Sequence, residues 1–281
     1  TNTRDYGTTD NEGNCDLPYE EADDYPVLPV LEDVTQTVVT SEILATAIQK
    51  TIFATGNDDM RPVMSGVLFK FTPEGLVFVA TDAHKLVKYV REDITSPVPV
   101  EFIMPKKPLN ILKNIFSGLA TDVTITFNRT NARFEADDIV LTCRLIDGKY
   151  PNYEAVIPKD NPNQLLIDRL SFMSSLRRIA LFSNKTTHQT RLSLSPAEVV
   201  ISAEDNEEGK RADEKIPCSY RGERMDIGFN SRFLSEMLAN LESKEVTIDM
   251  SKPNRAGILR PLESNEGEQI TMLVMPVILG N

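Results

Sequence analysis

The chain has 281 residues, of which 41% are apolar and 26% charged, a composition that is typical of folded protein and excludes a disordered chain. No apolar run approaches the roughly 20 residues of a membrane helix, and three distant cysteines with two histidines exclude a disulfide scaffold and a Cys/His-rich metal site. The net charge of −12 is uneven: residues 1–35 carry −9 and the rest only −3, which excludes a wholly basic DNA binder but allows a local basic face. We expect a reduced, cytoplasmic environment.

After residue 35 the sequence alternates between helix and strand patterns. A helix over 41–56 turns an apolar stripe inward and Lys50 outward. Strands follow at 66–71, 76–81 and 98–104, then an amphipathic helix at 106–119. Strands at 123–128, 132–136 and 138–145 precede a third helix at 171–183, which turns Arg177 and Arg178 outward.

These elements belong to an internal repeat. Residues 100–127 resemble 225–250, residues 76–82 resemble 199–205, and helix 41–56 resembles 171–184, all in the same order. We infer two copies of one module, at about 36–157 and 166–281. The sequence predicts an α+β fold made of tandem repeats, each with mixed sheets covered by two helices.

A third copy is indicated by its last residues alone. The Tyr-Pro exit at 24–29 precedes the first module as the one at 149–158 precedes the second. We therefore divide the chain into a remnant of a missing first domain (1–29), a middle domain (30–157) and a C-terminal domain (158–281).

The usual sequence signatures of catalysis are missing. There is no glycine-rich phosphate loop and no Gly-x-Ser-x-Gly elbow. Asp82 and His84 could form an acid/base pair, but no nucleophile accompanies them, and a histidine in a turn is the simpler interpretation. We expect no catalytic residue, no metal and no cofactor.

Several segments carry a family resemblance. Met60–Phe69 (MRPVMSGVLF) and Val79–Leu86 (VATDAHKL) resemble the middle domain of the bacterial replicative sliding clamp, the β subunit of DNA polymerase III. Asp147–Tyr153 (DGKYPNY) is similar to that family's link between its second and third domains, and Leu273–Leu279 (LVMPVIL) to its C-terminus. The resemblance extends in order from about residue 24 to the end.

The resemblance implies a fold and a function. Family members have three copies of one domain, and two subunits form a six-domain ring around duplex DNA that tethers the polymerase without performing chemistry. It implies partners of two kinds: double-stranded DNA, bound without sequence reading, and the replicative polymerase, clamp loader and repair polymerases, bound through short hydrophobic peptides. It implies neither a cofactor nor a membrane.

For DNA, a sliding ring needs weak phosphate contacts from basic helix faces. The candidate DNA-facing residues are Lys50, Arg61, Lys106, Lys113, Arg177 and Arg178. Basic residues on corresponding helices of both modules favour this interpretation over ordinary solvated helix faces. Pro62 and Val63 follow Arg61 where family members often have aromatic residues, which leaves DNA contact by this loop open.

For peptides, the resemblance implies an apolar groove between the two domains. Its matching positions are Met64, Thr81, Ala83, His84, Lys85, Leu86, Pro151, Ala155, Val156, Met275, Pro276, Val277, Ile278 and Leu279. The alternative is that these residues close the core between domains. Ile278 replaces an arginine found in many members, and Ala83 a frequent glycine, so peptide preference is expected to differ.

Two functional hypotheses remain open beside an enzyme that uses Asp82 and His84. One is a ring-forming clamp, which is a homodimer in the family. The other is a truncated, non-ring-forming module that binds peptides as a monomer.

Overall fold

Two short strands near the N-terminus form a hairpin: β1 (Arg4–Thr9) pairs antiparallel with β2 (Asn14–Tyr19). The computed structural model describes residues 4–9, 13–19, 23, 27, 29–58, 60–96 and 99–279. These form two compact units, Thr1–Asp33 and Val34–Asn281. The Tyr-Pro exit predicted at 24–29 lies outside the described residues, apart from Val27 and Pro29, and the domain division stays a prediction.

The first module of the larger unit begins with a strand that leads directly into a helix. Its elements are β3 (Thr35–Thr40), α1 (Ser41–Ile52), β4 (Gly66–Thr72), β5 (Gly75–Thr81), β6 (Lys85–Arg91), β7 (Val100–Pro105), α2 (Lys106–Phe116), β8 (Asp122–Phe127), β9 (Asn131–Ala136) and β10 (Ile139–Arg144). The Thr40 hydroxyl accepts a hydrogen bond from the Ile43 amide and caps α1.

The second module repeats this order with two additional short strands. Its elements are β11 (Asn163–Asp168), α3 (Arg169–Ile179), β12 (Gln189–Leu194), β13 (Glu198–Asp205), β14 (Lys210–Pro217), β15 (Ser219–Arg221), β16 (Met225–Asn230), α4 (Ser231–Ala239), β17 (Glu245–Met250), β18 (Gly257–Pro261), β19 (Glu268–Val274) and β20 (Pro276–Val277). The Asp168 carboxylate accepts from the Ser171 amide at 2.8 Å and caps α3 as Thr40 caps α1.

The strands of the larger unit form three sheets. A four-stranded sheet has the order β10-β9-β8-β3, and a five-stranded sheet has the order β14-β13-β12-β16-β20. A nine-stranded sheet, β15-β11-β17-β18-β19-β6-β5-β4-β7, contains strands of both modules. The α+β class is confirmed, and every pairing between the described strands is antiparallel, so the sheets are not mixed in strand direction.

The two modules join where β6 of the first pairs with β19 of the second, a junction that we call the seam. Its register extends from Lys85 opposite Val274 to Arg91 opposite Glu268. One continuous sheet therefore crosses from one module into the other, and the backbone ladder itself fixes their relative placement.

Side chains alternate between the two faces of the nine-stranded sheet, as strand geometry requires. Phe69, Val87 and Met272 lie on the inner face, in the main core, and all four helices contribute buried residues to that core. Their strand neighbours form a second, smaller cluster on the other face. This outer cluster consists of Leu68, Val79, Leu86, Ile103, Tyr150, Tyr153, Ala256, Ile258 and Leu273.

The sheet registers show which helix positions correspond in the two modules. Val39 pairs with Val123, and Ile167 pairs with Val246. Val123 and Val246 both begin a Val-Thr-Ile segment of the repeat. Val39 therefore corresponds to Ile167 and, counting along the chain, Lys50 of α1 corresponds to Arg178 of α3.

The same reasoning relates the strands of the seam to strands elsewhere. Leu141 of β10 pairs with Phe134, as Met272 of β19 pairs with Leu259, so β10 corresponds to β19. Glu214 of β14 pairs with Ile201, as Tyr89 of β6 pairs with Phe78, so β14 corresponds to β6. Thus β10 and β14 are the counterparts of the two strands that meet at the seam.

The predicted elements are confirmed with shorter helices. The helix predicted over 41–56 ends at Ile52, and the one predicted over 106–119 ends at Phe116. Gly118 adopts a φ of 90° just after α2, a conformation that disfavours other residues and stops the helix. The prediction that Lys50 lies on the outward face is wrong, because its side chain is buried at the seam.

Candidate functional site

A tight turn between β5 and β6 forms the centre of the predicted groove. The Asp82 carboxylate accepts hydrogen bonds from the amides of His84 at 2.9 Å and Lys85 at 2.8 Å. The buried Thr81 hydroxyl donates to the Lys85 carbonyl at 2.8 Å. Ala83 adopts a φ of 75°, which costs an L-residue roughly 1–2 kcal/mol. The turn is therefore fixed by its own polar groups, with Ala83 and His84 exposed.

This hydrogen bonding does not support the acid/base pair considered from the sequence. Asp82 uses one oxygen for two amides and the other for the Lys85 ammonium at 3.0 Å. The His84 ring stacks on Phe233 of α4, with ring centroids 6.2 Å apart. The two side chains thus have separate structural partners.

Lys85 connects this turn to the second module. Its ammonium is 3.2 Å from a Glu236 carboxylate oxygen and 4.4 Å from the centre of the Phe233 ring. The side chain is only 7% exposed, so it fastens the turn to α4. Phe233 and Glu236 are site residues that the sequence analysis missed, since nothing in the α4 pattern distinguishes them from other helix residues.

Met64 reaches the same turn through the preceding loop. It lies in a short 3-10 helix, Pro62–Ser65, and its carbonyl accepts a hydrogen bond from the Gly56 amide at 2.8 Å. A Cβ atom on Gly56 would lie 3.7 Å from the Asp82 Cα, so this loop packs directly on the turn.

The link between the modules supplies the apolar part of the groove. Tyr150 and Tyr153 are buried in the outer cluster beside Leu86. The Lys88 ammonium of β6 is 2.6 Å from a Glu154 carboxylate oxygen and holds the link on the sheet. Burial, with Glu154 as a second cause, raises the pKa of Tyr153 to about 12. Pro151 is half-buried, and Ala155 and Val156 are exposed beyond this anchor.

The C-terminal segment forms the remaining side. The Met275 amide donates to the His84 carbonyl at 2.9 Å, and Pro276 and Val277 form β20 against β16. A Cβ atom on Gly228 would lie 2.5 Å from the Val277 carbonyl oxygen and 2.8 Å from Leu279, so only glycine allows this close approach. Ile278 is 82% exposed and Met275 42% exposed.

The structure thus gathers most of the predicted groove residues around one turn, one link and one C-terminal segment. They are not uniformly apolar surface: Leu86 belongs to the outer cluster, whereas Lys85 contacts α4. Cavities of about 500 and 790 Å³ lie elsewhere on the second module, and none of the groove residues lines them.

Of the candidate DNA-facing residues, Lys50 has to be removed. It forms a buried ion pair with Glu268 of β19, across the seam, and lies over the Tyr89 ring. Asn265 donates to the other Glu268 oxygen at 3.0 Å. The expected recurrence of exposed basic residues on corresponding helices is therefore wrong for this position.

The remaining candidates differ in whether their charged groups already have ion-pair or hydrogen-bond partners. Arg178 forms two 2.7 Å hydrogen bonds with Glu214, which lower the pKa of that carboxyl. Arg61 forms a 2.8 Å ion pair with Asp58. Among the described residues, the Lys106 ammonium donates only to the Asn57 amide oxygen, at 3.3 Å. Lys113 is half-buried and Arg177 is exposed, and neither has an ion-pair partner among the described residues.

Positive charge is concentrated on two helices that do not correspond in the repeat. Helix α2 carries Lys106, Lys107 and Lys113, α3 carries Arg169, Arg177 and Arg178, and neither contains an acid. In α1 and α4, one acid balances one base. Within the described part of the chain, no cluster of three or more His, Cys, Asp or Glu could hold a metal, and no helix is long and apolar enough to cross a membrane.

Comparison with known proteins places these features in a family. Residues 38–152 match the model of the DNA polymerase III beta subunit central domain, and residues 154–277 match the model of its C-terminal domain. The beta sliding clamp of Synechococcus elongatus is 30% identical over 266 residues, which is 92% of this chain and 69% of that protein. The beta sliding clamp of Bacillus subtilis is 28% identical over 262 residues, again 92% of this chain and 68% of the relative.

Solved structures give the same result. The DnaN sliding clamp of Pseudomonas aeruginosa, bound to griselimycin, has a TM-score of 0.90 at 25% identity and covers 99% of this chain and 75% of its own. The DNA polymerase sliding clamp of Bacillus subtilis has a TM-score of 0.89 at 26% identity and covers 100% and 74%.

Proposed function

The chain belongs to the bacterial beta sliding clamp family, and we propose that it forms part of a ring around duplex DNA and binds peptide segments of replication proteins in its groove. The observation that carries this proposal is that the two faces of the nine-stranded sheet have different surroundings. All four helices pack on its inner face, and the apolar outer cluster and the link lie on the opposite face. Such a protein can hold DNA and a partner at once.

The DNA side rests on α2 and α3. Lys106, Lys113 and Arg177 present cationic groups without ion-pair partners among the described residues, on helices that contain no acid. Contacts to phosphates through such residues are weak and carry no sequence information, as sliding requires. Arg178 is left out of this set because Glu214 already holds its guanidinium. Arg61 contributes less to DNA binding in this proposal, since its Nε atom already forms an ion pair with Asp58.

The DNA side is tested by the salt dependence of binding to duplex DNA, measured by fluorescence anisotropy. We expect Lys106→Ala, Lys113→Ala and Arg177→Ala together to reduce the slope of log K against log salt by about 2–3, because each phosphate that the protein neutralises adds about 0.9 to that slope. A matched triple variant, Lys159→Ala, Arg221→Ala and Lys252→Ala, removes the same charge from exposed positions outside the helices. Equal slopes for the two triple variants would contradict the assignment.

The groove side rests on exposed apolar residues beside a rigid anchor. Val156 is 57% exposed on the link, and Met275 and Ile278 are exposed on the C-terminal segment. The buried tyrosines of the link and the hydrogen bond between Met275 and His84 hold these segments in place. A preformed apolar surface loses little freedom when a short peptide binds.

The groove is tested with a fluorescent peptide from the clamp-binding region of a replicative polymerase. We expect saturable micromolar binding that Ile278→Asp and Val156→Asp each weaken at least tenfold, because each places a charge under the peptide. Leu262→Asp, at an apolar residue 48% exposed outside the groove, is the control and should bind normally. Gly228→Ala should also weaken binding, because the new methyl group displaces Val277 and Leu279.

Light scattering distinguishes the two forms of this function. A stable closed oligomer that binds DNA and peptide supports the ring. A monomer that binds the peptide but has no salt-sensitive DNA affinity supports the alternative, a peptide-binding module that does not form a ring.

A further inference from the structure

Two ion pairs lie beside the groove, and in each of them the lysine is more buried than the glutamate. Lys85 is 7% exposed and pairs with Glu236 of α4, which is 48% exposed. Lys88 of β6 is 25% exposed and pairs with Glu154 of the link, which is 57% exposed. A molecule that enters the groove therefore finds the carboxylates more accessible than the ammonium groups.

The two lysines are also covered by aromatic rings. The Lys85 ammonium lies 4.4 Å from the centre of the Phe233 ring, and the Lys88 ammonium lies 5.8 Å from the centre of the Tyr153 ring. An aromatic face attracts a cation at such distances. A lysine that turned toward an acidic ligand would lose this contact together with its ion pair.

The charges of this set do not balance. Lys85 lies between two carboxylates, with Asp82 at 3.0 Å and Glu236 at 3.2 Å. With the pair of Lys88 and Glu154, three acids accompany two bases, which leaves a net charge of −1. Among the predicted groove residues, Lys85 is the only lysine or arginine. The excess charge beside the groove is thus negative, and the glutamates that carry it are the exposed partners.

We propose that the groove selects peptides that carry a lysine or arginine next to their apolar residues and disfavours peptides with an acidic residue there. Glu154 and Glu236 set this preference. The inference rests on the proposed function, because it names the class of peptide that the same groove takes.

The two glutamates are placed to meet a cation on either side of the peptide. Glu154 lies two residues before Val156, an exposed apolar residue of the groove, and Glu236 is held beside the groove turn by its ion pair. A basic side chain of the peptide pairs with these carboxylates, and an acidic one is repelled by them. Earlier in the link, Asp147 and Lys149 are both exposed and carry opposite charges, so they leave the balance unchanged.

Three peptides test the preference. They share the apolar core of a clamp-binding peptide from a replicative polymerase and differ only in the residues on either side of it, which are lysine, serine or glutamate. We expect the lysine peptide to bind about tenfold more tightly than the glutamate peptide in fluorescence anisotropy at low salt, with the serine peptide between them. In about 0.5 M salt the difference should fall to about twofold, because salt screens exposed charges.

Glutamine variants locate the preference in the groove. Glu154→Gln and Glu236→Gln should each reduce the ratio of affinities for the lysine and glutamate peptides about threefold. Both should bind the serine peptide normally, which shows that the groove keeps its shape. Glu74→Gln is the matched control, because this exposed glutamate precedes β5 at the end of the strand away from the groove turn. It should leave the ratio unchanged.

Several results would overturn the proposal even though the serine peptide binds. Equal affinities for the three peptides would show that the groove does not read charge. A preference for the glutamate peptide would show that a lysine leaves its partner to bind the ligand. An equal effect of Glu74→Gln would assign the preference to the net charge of the whole chain, and loss of serine-peptide binding in both other variants would assign the glutamates a purely structural role. If the serine peptide does not bind the original chain, the proposed function fails and this inference fails with it.

Discussion

The two modules place a basic residue at the same position of their first helix and use it in different ways. Lys50 of α1 is 9% exposed and pairs with Glu268, which belongs to the other module. Arg178 of α3 is 59% exposed and pairs with Glu214, which belongs to its own module. Both helices begin at corresponding positions, each with a side-chain N-cap, Thr40 in α1 and Asp168 in α3. The role of the residue is therefore set by whether a neighbouring module covers it.

The strands next to these helices differ in burial in the same way. The strand of the first module is mostly buried, and the corresponding strand of the second is mostly exposed. β6 reads Lys-Leu-Val-Lys-Tyr-Val-Arg and buries Val87 and Tyr89 at the seam. Its counterpart β14 reads Lys-Arg-Ala-Asp-Glu-Lys-Ile-Pro, and Tyr89 is replaced by Glu214. Charged residues on an exposed strand reduce unspecific pairing. The corresponding strands thus have different surroundings. In the first module the strand pairs with the other module, and in the second it is the last described strand of its sheet and carries charged side chains.

The largest expected difference between the two modules is in how much the Lys50–Glu268 and Arg178–Glu214 ion pairs contribute to stability. We expect Lys50→Ala to lower the free energy of unfolding by about 3–5 kcal/mol, because Glu268 keeps a buried charge with only the Asn265 amide as a side-chain partner among the described residues. Arg178→Ala should leave the urea midpoint unchanged within error, because its pair is exposed to water. Equilibrium unfolding in urea, followed by circular dichroism, measures both variants.

Replacing both buried partners sharpens the same test. Lys50→Met together with Glu268→Leu removes the charges and fills their space, and such exchanges are often neutral or stabilising. We expect the double variant to unfold within about 1 kcal/mol of the original chain. A double variant as unstable as Lys50→Ala would mean that packing around the pair, and not the unpaired charge, causes the loss.

The next largest effect concerns apolar residues at corresponding strand positions. Met272→Ala should cost about 2–5 kcal/mol, because it leaves a cavity at a fully buried site. Leu141→Ala should cost less than about 2 kcal/mol, because part of its surface already faces water. Equal losses of unfolding free energy in urea would contradict the expected difference between β19, which pairs at the seam, and β10, the last described strand of its sheet.

Periodicity and the repeat predict most of the secondary structure, because they report local burial. The helical stripe of α2 and the alternation in β8 and β9 are read correctly from the sequence. Pattern alone fails at Lys50, a charged residue between Gln49 and Thr51 whose side chain contacts the other module. A period of 3.6 residues describes one helix and contains no information about which face another module will cover.

The groove residues show the same limit of prediction from the sequence. The turn residues and the C-terminal segment are found through family resemblance, and the structure brings them together. Phe233 and Glu236 are missed, because their contacts with His84 and Lys85 cross from one module to the other. Contacts between distant segments depend on the seam register, which no single strand specifies.

The smallest predicted effect compares the two hairpin turns that follow β5 and β13. Both begin with an aspartate that accepts hydrogen bonds from turn amides, Asp82 in the first and Asp205 in the second. The left-handed conformation is taken by Ala83 in the first turn and by Gly209 in the second, where φ is 64°. Ala83 therefore carries strain that Gly209 avoids.

Exchanging these residues should change stability with opposite signs. Ala83→Gly relieves roughly 1–2 kcal/mol of strain and loses part of it to the entropy of the unfolded chain, for a net gain of about 0.5–1 kcal/mol. Gly209→Ala should cost about 1 kcal/mol through the backbone alone, because no atom lies within 4 Å of the added Cβ. Thermal unfolding of the two variants measures both signs. If Ala83→Gly also destabilises the chain, the strain at Ala83 is offset by contacts of its methyl group, and the turn depends on alanine in a way that its exposed position does not suggest.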